Sequence, residues 1–183
     1  MNIMPSIKIG LTGLPGAGKT ETILKIVEML KEDEITVGGM ITEPVLEKGE
    51  RKGFYVENML TGEQKVFAHE DIESRRSVGK YGIDISALEE VGVTAIKKAM
   101  EEADILVIDE VGRMEVESPL FVETVREALE SEKPMIITLH KKSRNPLLQD
   151  IRRRDDIRIL EVTIVNRNLL PYKVVNLLKD EAI

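Results

Sequence analysis

Cysteine is absent from this sequence. That excludes disulfides, a thiolate nucleophile, and zinc or iron–sulfur centres held by thiolates. Histidine occurs only at His69 and His140, which excludes a histidine-rich metal centre. Tryptophan is missing and aromatics make up 3% of the residues, so few rings are available to sandwich a base. Tyr55, Tyr81 and Tyr172 are the possible platforms, each also explained as a packing residue. No apolar run reaches the ~18 residues that a membrane span needs. The N-terminus, MNIMPSIKIGLTG, has no apolar block followed by a small-residue cleavage site. A cytoplasmic protein is expected. Basic residues are the minority: Lys+Arg number 26 against 33 Asp+Glu, a net charge of −7. Such a chain is a poor non-specific partner for nucleic acid or an anionic membrane.

What is present suits one globular unit. The 183 residues are 42% hydrophobic, enough to bury a core, and a single domain over 1–183 is expected. Ile7 to Thr12 reads as a strand, and Thr20 to Lys31 as a helix with Ile23, Leu24, Ile26, Val27 and Leu30 on one face. From Thr36 to Phe67 there is no helical period. Val37–Ile41, Phe54–Val56 and Lys65–Phe67 read as antiparallel strands, with turns at Gly49 and Thr61-Gly62. His69 to Ile83 gives no clear pattern. A helix follows over Val91–Ala103, with a leading turn at Ser86, where Ser86 and Glu89 have capping-box spacing.

Ile105–Ile108 and Met135–Leu139 are apolar runs, as in strands buried on both faces of a parallel sheet, and Ile157–Val162, mostly apolar, reads as a further strand. Ser118-Pro119 and Asn145-Pro146 carry the cap-then-proline signal of helix starts, the second helix ending near Arg154. Pro171–Lys179 reads as a last helix. Strands alternating with helices predict an α/β fold: a mostly parallel sheet flanked by helices, with an antiparallel hairpin addition.

Gly13-Leu14-Pro15-Gly16-Ala17-Gly18-Lys19-Thr20 matches the phosphate-loop pattern G-x-x-x-x-G-K-[ST], between a predicted strand and a predicted helix. A loop that wraps a phosphate must turn successive backbone N–H groups inward, which Gly13, Gly16 and Gly18 permit. The helix aims its positive end at the anion. Lys19 reaches the β- and γ-phosphates, Thr20 supplies a hydroxyl for Mg²⁺, and Glu21 follows on the opening turn.

Asp109-Glu110 ends the apolar run Ile105–Ile108. Ligands of open parallel sheets sit at the carboxyl ends of strands. Asp109 is therefore a candidate to hold Mg²⁺ with Thr20, and Glu110 to act as general base on a water. His140, with Thr138 behind it, ends the next strand and is a candidate contact to the γ-phosphate, or else a loop histidine. Arg113, Arg144, Arg152, Arg153, Arg154 and Arg167 are the arginines considered for transition-state charge. Arg113 stands first by position, and the Arg152–Arg154 run reads as an exposed helix end.

Val107-Ile108-Asp109-Glu110-Val111-Gly112-Arg113-Met114-Glu115 resembles the D-E-[IV]-G-x-M-E segment of the nucleoside-triphosphatase family first described in thermophiles. Val78-Gly79-Lys80-Tyr81-Gly82-Ile83-Asp84 is similar to its V-G-x-Y-G-V block, Gly39–Val56 to its G-G hairpin, and Thr163–Arg167 to its late T-x-x-N-R. Ile164-Val165 departs from the family, which more often has a polar residue there. The resemblance spans nearly the whole chain. It implies a P-loop NTPase fold of RecA-like type, with a strand inserted between the loop strand and the carboxylate strand. It also implies Mg²⁺-dependent hydrolysis of ATP, GTP, CTP and UTP to diphosphates with weak base selectivity; a monomer is expected. Gly112, Arg113, His140, Asn166 and Arg167 are possible accessory residues. The residues alone leave a nucleotide or small-molecule kinase, or a nucleotide-gated switch ATPase, as alternatives.

Overall fold

A computed structural model describes residues 6–179, so the reading of Met1 to Pro5 lies outside the described residues. Nine strands form one sheet in the order β5-β6-β4-β3-β2-β7-β8-β1-β9. Five of them, β2 (Val37–Glu47), β7 (Ile105–Val111), β8 (Met135–His140), β1 (Lys8–Gly13) and β9 (Ile157–Glu161), pair in parallel. The other four, β3 (Glu50–Asn58), β4 (Gln64–His69), β6 (Tyr81–Ile83) and β5 (Ser77–Val78), continue the sheet antiparallel from β2. The antiparallel addition is larger than the short runs of Val37–Ile41 and Phe54–Val56 suggest. As the family resemblance implies, β8 lies between the loop strand β1 and the carboxylate strand β7.

The apolar runs of β7 and β8 are buried on both faces because each face has its own helical layer, whereas β9, at the sheet edge, is largely exposed from Arg158 to Glu161. Ile105 and Val107 of β7 and Ile136 of β8 pack with Ile9 and Leu11 under α1 (Lys19–Glu32) and α6 (Leu170–Leu178). Leu24 lies outside the buried face of α1 and is exposed, contrary to the reading from spacing. Their neighbours Leu106, Ile108, Ile137 and Leu139 face the opposite layer. That layer holds α3 (Thr94–Glu102), α4 (Pro119–Glu130) and α5 (Pro146–Arg153). Alternate side chains of a strand point to opposite faces, so a fully apolar strand demands cover on both.

The proline-opened helices start as read. The Ser118 hydroxyl accepts from Phe121 N at 3.0 Å, and Asn145 Oδ1 accepts from Leu148 N at 3.0 Å. The capping box at Ser86 does not form. The chain turns as soon as β6 ends, so Asp84 caps α2 (Ile85–Ala87) by accepting from Ala87 N. Glu89 instead accepts from the Ser118 hydroxyl at 2.7 Å. A π-helical stretch, Leu88–Val93, joins α2 to α3 and sets Gly92 against Met40 and Val56.

Gly39 fixes the junction between the two halves of the sheet. It sits at φ +125°, paired with Val107, and a Cβ would lie 1.9 Å from the Val107 carbonyl oxygen. Gly39→Ala is expected to cost roughly 4 kcal/mol or more, because strain and backbone overlap add. A urea-unfolding midpoint close to that of the wild type would contradict this.

Candidate active site

β1 ends at Gly13, where the chain passes close to the segment that follows β9. A Cβ on Gly13 would lie 2.7 Å from the Val162 carbonyl oxygen. The loop folds back through Gly16, at φ +81°, and Gly18, at φ +105°, and Gly18 becomes the residue that opens α1. Leu14, Pro15 and Gly16 are exposed, and Pro15 and Gly16 line a cleft. Lys19 Nζ donates to the Gly13 carbonyl at 3.1 Å and stands 3.3 Å from Glu110 Oε2.

That contact shows that the carboxylate strand reaches the loop although β8 separates them. Asp109 is buried. Its Oδ2 accepts from the Thr20 hydroxyl at 3.1 Å and its Oδ1 from the Thr138 hydroxyl at 2.6 Å. The Thr42 hydroxyl donates to the Asp109 carbonyl at 3.2 Å. Burial pushes the Asp109 carboxyl up to about 7, with the two threonine hydroxyls and the Lys19 charge pulling the other way. The Asp109–Glu110 peptide is cis.

Glu110 is half-buried, between Lys19 and Gly112. At Gly112 a Cβ would lie 2.9 Å from both Glu110 Oε1 and Glu115 Oε1. Two carboxyl groups therefore converge over one glycine. Glu115 is 1% exposed, and burial, reinforced by the Glu110 charge, holds its carboxyl well above the usual range.

His140, at the end of β8, borders the same cleft. Its Nδ1 accepts from Ser143 N at 3.0 Å, so the neutral ring carries its proton on Nε2. Burial lowers its pKa, which keeps the ring neutral. Arg152 does not behave as part of an exposed helix end. It donates to the His140 carbonyl at 2.6 Å and the Ser143 carbonyl at 2.8 Å, clamping the loop that orients His140. Arg154 is likewise engaged, with Glu130 and Asp156.

Arg113 lines the cleft, whereas Arg144 and Arg153 do not. Arg167 lies elsewhere: its Cδ would be 3.2 Å from a Cβ on Gly18, beside Glu21 at the start of α1. The Asn166 side chain is occupied in a turn, accepting from Thr163 N and donating to the Glu161 carbonyl, both at 2.8 Å.

The cleft holds about 500 Å³ between the phosphate loop and a wall made by β2, β3 and the β5–β6 hairpin. Of Arg51, Phe54 and Tyr81 on that wall, the sequence marks only Tyr81, as a possible platform for a base. No local pattern marks Arg51, and only the sheet order carries it to the cleft. Glu115 lies inside the segment quoted for the family, so a signal for it existed.

The family model described as NTPase matches residues 8–175. The nucleoside-triphosphatase THEP1 of Thermoplasma volcanium is 40% identical over 176 residues, which cover 96% of this chain and 99% of the relative. The protein of that name from Methanocaldococcus jannaschii is 40% identical over 170 residues, covering 93% and 96%. The crystal structure of THEP1 from Aquifex aeolicus superposes with a TM-score of 0.86 at 31% identity, covering 94% of this chain and 99% of that one. The solution structure of a human cancer-related nucleoside triphosphatase gives 0.81 at 31% identity, covering 97% and 100%. These matches run through the phosphate loop and the strand-end acids and take in nearly the whole of each relative: the chain belongs to the NTPase family.

Proposed function

We propose that this protein hydrolyses nucleoside triphosphates to diphosphate and phosphate, using Mg²⁺ and discriminating weakly among bases. The observation that carries the reading is the convergence of Lys19, the Thr20–Asp109 pair and Glu110 at the mouth of one glycine loop. The loop amides and the positive end of α1 bind the phosphates. Lys19 leaves Glu110 and the Gly13 carbonyl for the β- and γ-phosphate oxygens. Glu110, released from its cation, then faces the γ-phosphate as a free carboxylate and takes a proton from water. His140 donates from Nε2 toward the same phosphate, and Arg113 adds positive charge beside it.

Thr20 and Asp109 would hold the metal. Their oxygens suit a hard divalent cation, and the bound ion would neutralise charge building on the bridging oxygen. Among the described residues no three or more His, Asp or Glu side chains gather to hold a metal. A site of two protein oxygens leaves room for phosphate and water, as Mg²⁺ prefers.

Weak base selectivity follows from what surrounds Gly18, where the nucleoside leaves the loop. Arg167 offers a flat cation on which any base can stack. Asn166 has its amide committed to the turn, so it reads no base edge. Tyr55 donates to Glu43, Tyr81 is across the cleft, and Tyr172 is exposed on α6.

One phosphate-release panel tests this: ATP, GTP, CTP and UTP, with Mg²⁺ or with a chelator. Release from all four is expected, with kcat/KM values within about a hundredfold, and none in chelator. A preference beyond that span would reveal a site built to read bases. Turnover in chelator would remove the metal from the reading.

A further inference from the structure

The segment from β2 to β6 holds neither phosphate nor metal in this reading, yet it walls the cleft. Phe54 and Tyr81 meet edge to face there, ring centroids 5.5 Å apart. The Arg51 guanidinium lies 5.3 Å over the Phe54 ring. Across from them stand Glu110, Arg113 and Glu115. Neither Arg51 nor Arg113 forms a salt bridge among the described residues, where the paired arginines are Arg76, Arg126 and Arg154. Glu115 borders this space, buried, with an Oε2 that has no hydrogen-bond partner.

The cavity of about 500 Å³ is in the range of small-molecule sites. The part bordered by Pro15, Gly16, Lys19 and Thr20 is needed for the γ-phosphate, and the part bordered by Pro44, Arg51, Phe54 and Tyr81 lies beyond what one attacking water of about 30 Å³ requires. The cavity borders Lys19, Thr20 and Glu110 but not Gly18, Glu21 or Arg167. It therefore extends beyond the γ-phosphate, on the side away from the nucleoside. Water requires neither an aromatic wall nor the unpaired Arg51, since Arg113 already serves the γ-phosphate.

We propose that this half of the cleft is an acceptor site for a small anionic aromatic alcohol, and that the protein passes the γ-phosphoryl group to its hydroxyl as well as to water. The proposal rests on the hydrolase reading, which sets the γ-phosphate at Glu110. The ring packs on Phe54 and Tyr81, the anion meets Arg51, and the hydroxyl reaches Glu110. The hydroxyl oxygen bonds to the γ-phosphorus as the bond from that phosphorus to the bridging oxygen breaks. The bond pair leaves with the nucleoside diphosphate, the hydroxyl proton passes to Glu110, and a phosphomonoester remains. Two nearby carboxyl groups repel an anionic acceptor atom but not a neutral hydroxyl.

Nucleoside 3′-monophosphates combine a ring, an anion and a free primary hydroxyl, so the four common ones serve as probes. The full chain is incubated with saturating MgATP labelled on the γ-phosphate, with and without millimolar probe. Expected is labelled nucleoside 3′,5′-bisphosphate together with a fall in free phosphate. Arg51→Gln, a change at an exposed position, is expected to raise the probe concentration for half-maximal transfer by about tenfold, the worth of one charge-assisted contact. Tyr81→Ala should lower the ratio of ester to phosphate formed by the same protein. Phosphate release with no ester from any probe overturns the acceptor site and leaves the hydrolase reading intact. Ester formation indifferent to both substitutions also overturns it. The control without probe tests the hydrolase reading by itself.

Discussion

Glu110→Gln binds triphosphate within a few-fold of the wild type while kcat falls by roughly 10²–10⁴, the usual worth of general-base catalysis. The substitution keeps the size and the hydrogen-bonding capacity of the side chain and removes only its basic oxygen. Binding should survive because Glu110 and the phosphates compete for one cation. Lys19 stands 3.3 Å from Glu110 before any nucleotide arrives, so neutralising residue 110 frees Lys19 rather than weakening the phosphate site. Asp109, with its threonine partners, is untouched. Nucleotide affinity and single-turnover hydrolysis, measured side by side, decide the matter. Hydrolysis within a few-fold of the wild type would remove Glu110 as the base and move His140 forward. Collapse of binding along with rate would place Glu110 in the metal or phosphate site.

Lys19→Ala should lose at least about 10³ in kcat/KM, with triphosphate affinity down by roughly ten- to a hundredfold. The lysine is the one side-chain cation on the loop itself, and it acts twice. In the proposed reaction its charge meets the β- and γ-phosphates as negative charge redistributes between them. Before that, it holds Glu110 at the cleft mouth. The variant loses both, so its rate should fall further than its affinity. Steady-state kinetics read with equilibrium titration of a non-hydrolysable triphosphate separate the two. Unchanged kcat and KM would end the phosphate-loop reading.

The parts of this fold that are legible in the residues are those with local causes. Ile105–Ile108 is apolar without a break, and only a strand covered on both sides tolerates that. Ser118-Pro119 and Asn145-Pro146 announce helices because a cap hydroxyl or amide and a fixed proline φ act within three residues. The phosphate loop is legible for the same reason. β5 and β6 are not: two and three residues long, they carry no period, and β6 exists through pairing with β4 and β5 through pairing with β6. Arg51 is hidden in the same way, since it reaches the cleft through the β2–β3 register and not through its neighbours. Arg152 is misread from composition because an arginine run next to aspartates has the same letters whether it is solvated or tied to carbonyl oxygens.

The place of β1 in the sheet also has a consequence for how the molecule is made. β1 is flanked only by β8 and β9, and everything from α1 to α4 intervenes before the first of these partners is synthesised. The β2–β3–β4 meander can pair as it emerges, because its contacts are between chain neighbours. The phosphate-loop strand cannot, and closing so long a loop is slow. A nascent chain therefore carries the complete glycine loop long before that loop has a scaffold. Nucleotide can bind only near the end of folding, and when it does it draws the last-formed strands toward the finished state by mass action.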